Sequence, residues 1–411
     1  MTIIGKKLVL ADYEEDGLMS YYNAIRLLIY CTPFIDGLNG LAMTLGLPVV
    51  FGQIIRIPII AFILYLLANI NFKIFSLAFS LFSLSIIRDV FLSDYIMSDI
   101  AVSVTVTSRY FYVLFFLLLV NCSCKRKFVT IVDLLTWCKK TILIFAVIIL
   151  ISKASGFGLT YAGASKGLFI EVNALTALLV WGASIWIYPL YFSSPDRYDL
   201  LGALVVIVAT ASQATKTGLI GIIVILLYYG VVNVVVQKNI KILIGTVLFI
   251  IISGLIIYTY LMSEIGSEIL SRWQFFLEKM DLFTFLMSGR NIALQAAFSE
   301  WTDNILYILF GTGFSGGEKL TLGKNPILSY GGPEMDIFDI GFFYGIFAML
   351  IVTYYLLKPV IMNKYHRNNI VNVKFSYLLF LVVMFLGGHV LSSPMAGIFF
   401  TVAYVANKYY D

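Results

Sequence analysis

The sequence predicts an all-α polytopic integral membrane protein, a single bundle of about 12 transmembrane helices carrying one large loop. Three observations lead there. Of the 411 residues, 60% are apolar and 12% carry a charge, against about half and about a quarter in an ordinary soluble domain. Mean hydropathy is +0.94. The apolar residues also fall into runs of roughly 17 to 25, the length that crosses about 30 Å of hydrocarbon at 1.5 Å per residue. This composition excludes a soluble enzyme, and it is opposite to that of disordered, collagen-like or nucleic-acid-binding chains.

The elements follow in order. Residues 1–17 hold Lys6 and Lys7 but also Asp12, Glu14, Glu15 and Asp16 ahead of any long apolar run. They lack a cleavable signal peptide's sequence of basic, apolar and small-residue regions, so the amino terminus is expected to stay cytoplasmic. Spans are expected near 20–46, 54–70, 74–92, 104–121, 139–152, 170–192, 199–215, 217–236, 241–261, 337–357, 374–391 and 393–408. With the start inside, 17 cations fall in inner segments, among them Lys125, Arg126, Lys127, Lys358 and Lys408. Six fall in short outer ones: Arg56, Arg88, Arg109, Lys153, Lys166 and Lys216. That asymmetry sets the orientation, with both termini cytoplasmic.

Residues 1–411 read as a single integral membrane domain. The segment 262–336 between the ninth and tenth spans reads as a large periplasmic loop. Within it, Ser288 is placed to cap a helix running from Arg290 through Trp301. Gly311, Gly313, Gly316, Gly317, Gly331 and Gly332, with Pro326 and Pro333, then describe repeated turns. The four cysteines, Cys31, Cys122, Cys124 and Cys138, lie toward the cytoplasmic side, where thiols stay reduced, so no disulfide is expected. Nothing matches a P-loop, a GxGxxG after a strand, HExxH or GxSxG, which leaves nucleotide hydrolysis, zinc proteolysis and common serine-hydrolase chemistry without a motif.

An ionisable group inside a span costs about 3 kcal/mol on insertion scales, so it faces a partner or water. Arg56, Arg88, Arg109, Glu171, Lys216, Arg290, Glu334, Asp336 and His389 all sort to the outer side, which predicts a polar cavity there. Lys216 stands at the turn of a tight helical hairpin beside Thr215, Thr217 and Gly218, where it can bind phosphate or simply snorkel to headgroups. Arg290 opens the loop helix, and its guanidinium and the free first-turn amides both favour an anion; a solvated loop arginine is the competing reading. Glu334 and Asp336 enter the tenth span as possible general bases or as helix-capping carboxylates. His389, in Gly387-Gly-His-Val-Leu-Ser-Ser-Pro394, can shuttle a proton or bond a neighbouring carbonyl. His366, among Lys364, Arg367, Asn368 and Asn369, reads as solvated. Arg88 with Asp89, and Arg56 near Gln53, also read as simple interfacial contacts.

Taken together, Pro33-Phe-Ile-Asp-Gly-Leu-Asn-Gly40, Gly52-Gln-Ile-Ile-Arg56, Lys216-Thr-Gly-Leu-Ile-Gly221, Ser288-Gly-Arg290, Gly311-Thr-Gly313, Glu334-Met-Asp336 and Gly387-Gly-His389 give a pattern that resembles the O-antigen polymerase (Wzy-type) family, and more distantly the O-antigen ligases. The resemblance implies a GT-C-like glycosyltransferase bundle in the bacterial inner membrane. Its reaction would transfer a growing glycan from undecaprenyl pyrophosphate to the non-reducing end of an incoming lipid-linked repeat unit. It further implies Arg290, Glu334, Asp336 and His389 as catalytic residues and Lys216, Arg290, Arg56 and Arg88 as pyrophosphate-binding residues. No metal and no cofactor is expected, since the lipid diphosphate is already an activated leaving group. Expected partners are the lipid-linked oligosaccharide and membrane lipid, with room for a chain-length regulator protein and none for nucleic acid.

Two departures from the ligases stand out: Lys216 sits where they have an arginine, and no histidine precedes His366. Both favour polymerase over ligase. A lipid-linked oligosaccharide flippase or secondary transporter is the competing class, since about twelve spans and a cationic cavity suit one as well.

Overall fold

The computed structural model describes residues 2–48, 51–92, 96–161, 164–263, 267–314, 316, 334–362 and 370–409. His366 with its basic neighbours, and Gly317, Pro326, Gly331, Gly332 and Pro333, lie outside the described residues. Of the described residues, 85% are helical. The bundle helices are α1 (Thr2–Thr44), α2 (Phe51–Ile70), α3 (Phe72–Leu92), α4 (Met97–Lys125), α5 (Ile131–Ser155), α6 (Val172–Phe192), α7 (Arg197–Ser212), α8 (Lys216–Gln237) and α9 (Ile240–Leu261). Four helices of the long connection follow: α10 (Ser267–Lys279), α11 (Leu282–Leu286), α12 (Arg290–Thr302) and α13 (Ile305–Phe310). Then come α14 (Asp336–Tyr344), α15 (Ile346–Met362), α16 (Ile370–Gly387) and α17 (Pro394–Tyr409).

By length and composition, six of these can cross a membrane: α2, α3, most of α4, α5, α6 and α8. Every segment expected as a span carries helix. The fifth is longer than its apolar run. A reciprocal capping box between Thr130 and Asp133 starts α5, and Gly156, at φ 66°, ends it. The sequence reading missed a small antiparallel hairpin, β1 (Leu159–Tyr161) with β2 (Ala164–Gly167), between α5 and α6.

The tenth segment is not one helix. It breaks at Gly345, whose backbone sits at φ 89°. The cause is tertiary: a β-carbon on Gly345 would lie 2.2 Å from the Leu309 carbonyl oxygen, and one on Gly311 would lie 2.3 Å from that of Phe343. Two glycines thus let α13 and the α14–α15 joint cross backbone to backbone, and Thr312 N–H donates to the Phe342 carbonyl at 2.8 Å.

The core lies around α6 and α17, which are apolar on nearly every face and buried along most of their length, as a helix without a solvated stripe must be. Trp181, Phe399, Phe145 and Phe380 interlock there. Outward-facing side chains are also apolar, Ile57 at 68%, Phe72 at 68% and Leu77 at 65% exposure among them. That is the inside-and-outside apolar pattern of helices whose solvent is lipid.

Candidate functional site

Side-chain contacts set the start of α2 against the later part of α1, through Arg56 and Asp36, and the residue before α6 against α4, through Glu171 and Arg109. They also set Glu334 and Asp336, at the start of α14, against the junction of α16 and α17. Most of the polar residues singled out in the sequence lie at these junctions.

Arg290 is set by the turn before it. Asp281 accepts from the Thr284 N–H at 2.9 Å and from its hydroxyl at 2.8 Å, while Asn291 Nδ2 donates to Thr284 Oγ1 at 2.8 Å. The chain then reverses through two left-handed residues, Ser288 at φ 54° and Gly289 at φ 78°. This corrects the expected cap. Gly289, not Ser288, holds the N-cap position of α12, and no side chain caps it. So sharp a reversal needs a residue without a β-carbon at the helix start, which moves Ser288 one position too early. The Arg290 side chain is 12% exposed, and its Nη2 donates to Glu334 Oε2 at 2.9 Å. Its Nε is buried and finds no hydrogen-bond partner among the described residues.

The main chain of Glu334 runs against that of Gly388, which sets Glu334 beside His389. Both are left-handed, at φ 53° and 61°, and so is Gly388, at 61°. A β-carbon on Gly388 would stand 1.6 Å from the Glu334 carbonyl oxygen, so only glycine permits the approach. Asp336, fully buried, locks the same loop. Its carboxylate accepts from the N–H groups of Val390 at 2.6 Å, Leu391 at 3.1 Å and Ser392 at 3.3 Å, and from the Ser392 hydroxyl at 3.2 Å. That is an anion held in a nest of successive amides.

His389 Nδ1 lies 3.2 Å from Ser392 Oγ, and its Nε2 lies 3.7 Å from Glu334 Oε1. The latter contact is an ion pair, too long for a hydrogen bond. Both residues sit in loops outside the spanning helices. Burial alone would favour neutral His389, but the Glu334 carboxylate outweighs it, with help from Asp336 and Glu171, and raises the imidazole to about 9. Burial would likewise raise Glu334, yet His389 and Arg290 hold it down at about 2. The side chains keep 38% and 33% of their surface exposed, so solvent moderates these shifts without reversing them. At neutral pH the trio is two cations sharing one carboxylate.

Next to it stands a second set of charges. Arg56 pairs with Asp36 of α1, not with Gln53, and both side chains are nearly buried at 11% and 14% exposure. Arg109 of α4 meets Glu171, the residue preceding α6, at 3.3 Å. Asp36 and His389 both feel the charge of Glu171, so the two sets are electrostatically continuous.

Arg88 and Lys216 have partners outside the Arg290 trio. Arg88 binds Asp89 at 2.5 Å, donates to the Phe310 carbonyl at 3.3 Å and stacks on the Tyr344 ring at 4.6 Å. Thr107 donates to the other Asp89 oxygen at 2.8 Å. Lys216 opens α8, where Thr215 accepts from the Gly218 N–H. Its ammonium donates to the Phe285 carbonyl and lies 4.0 Å from the centre of that ring. Each cation thus meets carbonyls at the finish of a short connecting helix, α13 or α11, the charge that a helix carboxyl end favours.

The structure brings Arg290, Glu334, Asp336 and His389 together, sets Arg56 in the adjoining pairs, and uses Arg88 and Lys216 to tie the connection to the bundle. The sequence reading overlooked Asp36 as the partner of Arg56; an intramembrane carboxylate twenty residues from an intramembrane arginine was the available signal. It also gave Ser392 no role. Among the described residues, no group of three His, Cys, Asp or Glu side chains is arranged to hold a metal ion. Comparison with known proteins finds no matching family model and no matching curated protein.

Proposed function

We propose that the chain is an O-antigen or surface-polysaccharide polymerase, a glycosyltransferase of the bacterial inner membrane. In this reading it crosses the membrane about twelve times in a GT-C-like bundle, with both termini cytoplasmic and the Arg290 end facing the periplasm. The donor is a glycan on undecaprenyl pyrophosphate. The acceptor is the non-reducing end of a lipid-linked repeat unit.

One observation carries the proposal. Arg290 from the long connection and His389 from the junction of the last two helices converge on Glu334, two cations at the end of the bundle where a lipid diphosphate would sit. In the reaction, an acceptor hydroxyl oxygen bonds to the donor's anomeric carbon while that carbon's bond to the diphosphate oxygen breaks. The leaving diphosphate keeps the electron pair, and Arg290 with protonated His389 neutralises it. The hydroxyl proton goes to Glu334. While it holds both cations Glu334 is a weak base, but once the diphosphate takes them over its proton affinity rises toward that of an ordinary carboxylate. Asp336, with both oxygens occupied by four donors, holds the histidine loop in place. Arg56, Arg109, Asp36 and Glu171 line the approach.

Reconstituted protein given lipid-linked repeat units tests the reading. A polymerase makes a ladder of longer glycans, a flippase only moves the label across the bilayer, and a ligase transfers glycan to a lipid A core acceptor without a ladder. Arg290→Ala is expected to abolish the ladder while inserting normally. Wild-type ladder length and yield in that variant would refute the role given to Arg290.

A further inference from the structure

The opposite end of the bundle carries a second gathering of cations that this reaction does not use. Lys125 is the last residue of α4, Lys358 lies on α15 and Lys408 closes α17, and α17 packs against both other helices. Asn121 of α4 holds the end of α17: its Oδ1 accepts from Lys408 Nζ at 2.8 Å and from the Tyr409 hydroxyl at 2.9 Å. Lys408 is close enough to Lys358 and Lys125 for their like charges to repel it. Among the described residues, none of the three meets a carboxylate within ion-pair distance. Other lysines do find one, as Lys139 does in Asp199. Arg126 and Lys127, both exposed, extend the basic edge.

Three helices holding like charges together, with no carboxylate among the described residues paired to them, make a site that an anion would complete. Its setting selects the anion. Tyr354 and Tyr355 are 58% and 55% exposed, and Lys358 Nζ lies 5.6 Å and 5.9 Å from their ring centres. Lys408 lies over the Tyr409 ring at 4.9 Å. Aromatic rings and lysine tips at the ends of apolar helices mark the headgroup level of a bilayer. Basic clefts between such helices suit a lipid phosphate better than a soluble one, since the acyl chains lie along the helix flanks.

We propose that Lys125, Lys358 and Lys408 form a headgroup site for an anionic phospholipid, with the exposed tyrosines flanking it. The proposal does not depend on the polymerase reading. It predicts that delipidated protein binds phosphatidylglycerol in preference to phosphatidylcholine, as read by native mass spectrometry. Each Lys→Ala change at the three positions should weaken that binding roughly fivefold, the effect of one basic residue beside an anionic surface. Lys358→Arg should retain it, and Lys73→Ala, an exposed cation on α3, should leave it unchanged. If the triple alanine variant does not accumulate, the three single variants carry the test. Equal binding of the two lipids, undiminished phosphatidylglycerol binding in the alanine variants, an equal loss from Lys73→Ala, or equal occupancy by free glycerol phosphate would each overturn the proposal.

Discussion

Asp336→Asn tests how the histidine loop is held. The carboxylate accepts four hydrogen bonds, two on each oxygen: Val390 and Leu391 N–H on Oδ2, Ser392 N–H and hydroxyl on Oδ1. An amide keeps one acceptor oxygen and turns an NH2 toward the donors on the other side. With its NH2 toward Ser392, the hydroxyl can turn round and accept, so the better rotamer loses one bond and leaves the Ser392 N–H facing a donor in a fully buried site. A hydrogen bond to a charged group contributes about 1.5–3 kcal/mol, so the loop should lose at least about 1.5 kcal/mol. If these amides exchange through local opening, that corresponds to at least roughly 10-fold faster hydrogen exchange at residues 390–392. Far-UV circular dichroism, which reports the helical bundle as a whole, should be unchanged. Unaltered protection of Val390 and Leu391 in the variant would refute the clamp.

Two further outcomes follow from the same geometry. The His389 imidazole should titrate near 9 by NMR and fall back toward its ordinary 6.5 in Glu334→Gln. A raised histidine stabilises fully below about 6.5 and loses that contribution as pH rises through about 9, whereas Glu334, held at about 2, stabilises above its ordinary 4.5 and loses this as pH falls. Loop stability should therefore peak between those ordinary values and decline on the alkaline side near 9; an imidazole midpoint unmoved by Glu334→Gln would contradict the pairing. Gly388→Ala combines a left-handed backbone with a β-carbon 1.6 Å from the Glu334 carbonyl and should cost more than about 3 kcal/mol. Gly46→Ala, left-handed but with nothing within 4 Å of its β-carbon, should cost only about 1–2 kcal/mol; equal thermal shifts for the two would show that the close approach is absent.

The helical segments were legible because lipid-facing helices must be apolar over about twenty residues, and few alternative structures satisfy their backbone. The break at Gly345 was not, since Tyr344-Gly345-Ile346 lies inside a continuous apolar run and the cause is a carbonyl from α13. Arg290 as the first residue of a helix could be read from Ser288-Gly289, though which of the two capped it depended on a reversal fixed by Asp281 and Thr284. The charges of Arg88 and Lys216 were plain in the sequence, and so was Asp89 beside Arg88, but both cations also donate to main-chain carbonyls, of Phe310 and Phe285, which leave no compositional trace. Asp336 looked like a base or a cap because its four donors, more than fifty residues away, carry no pattern of their own.

A density map of the protein with a bound lipid-linked glycan tests the central claim most directly. The account predicts diphosphate density against Arg290 and His389, with the Glu334 carboxylate turned away from both and toward the acceptor sugar. Diphosphate bound elsewhere, with the Arg290–Glu334 and His389–Glu334 pairs intact beneath it, would contradict it.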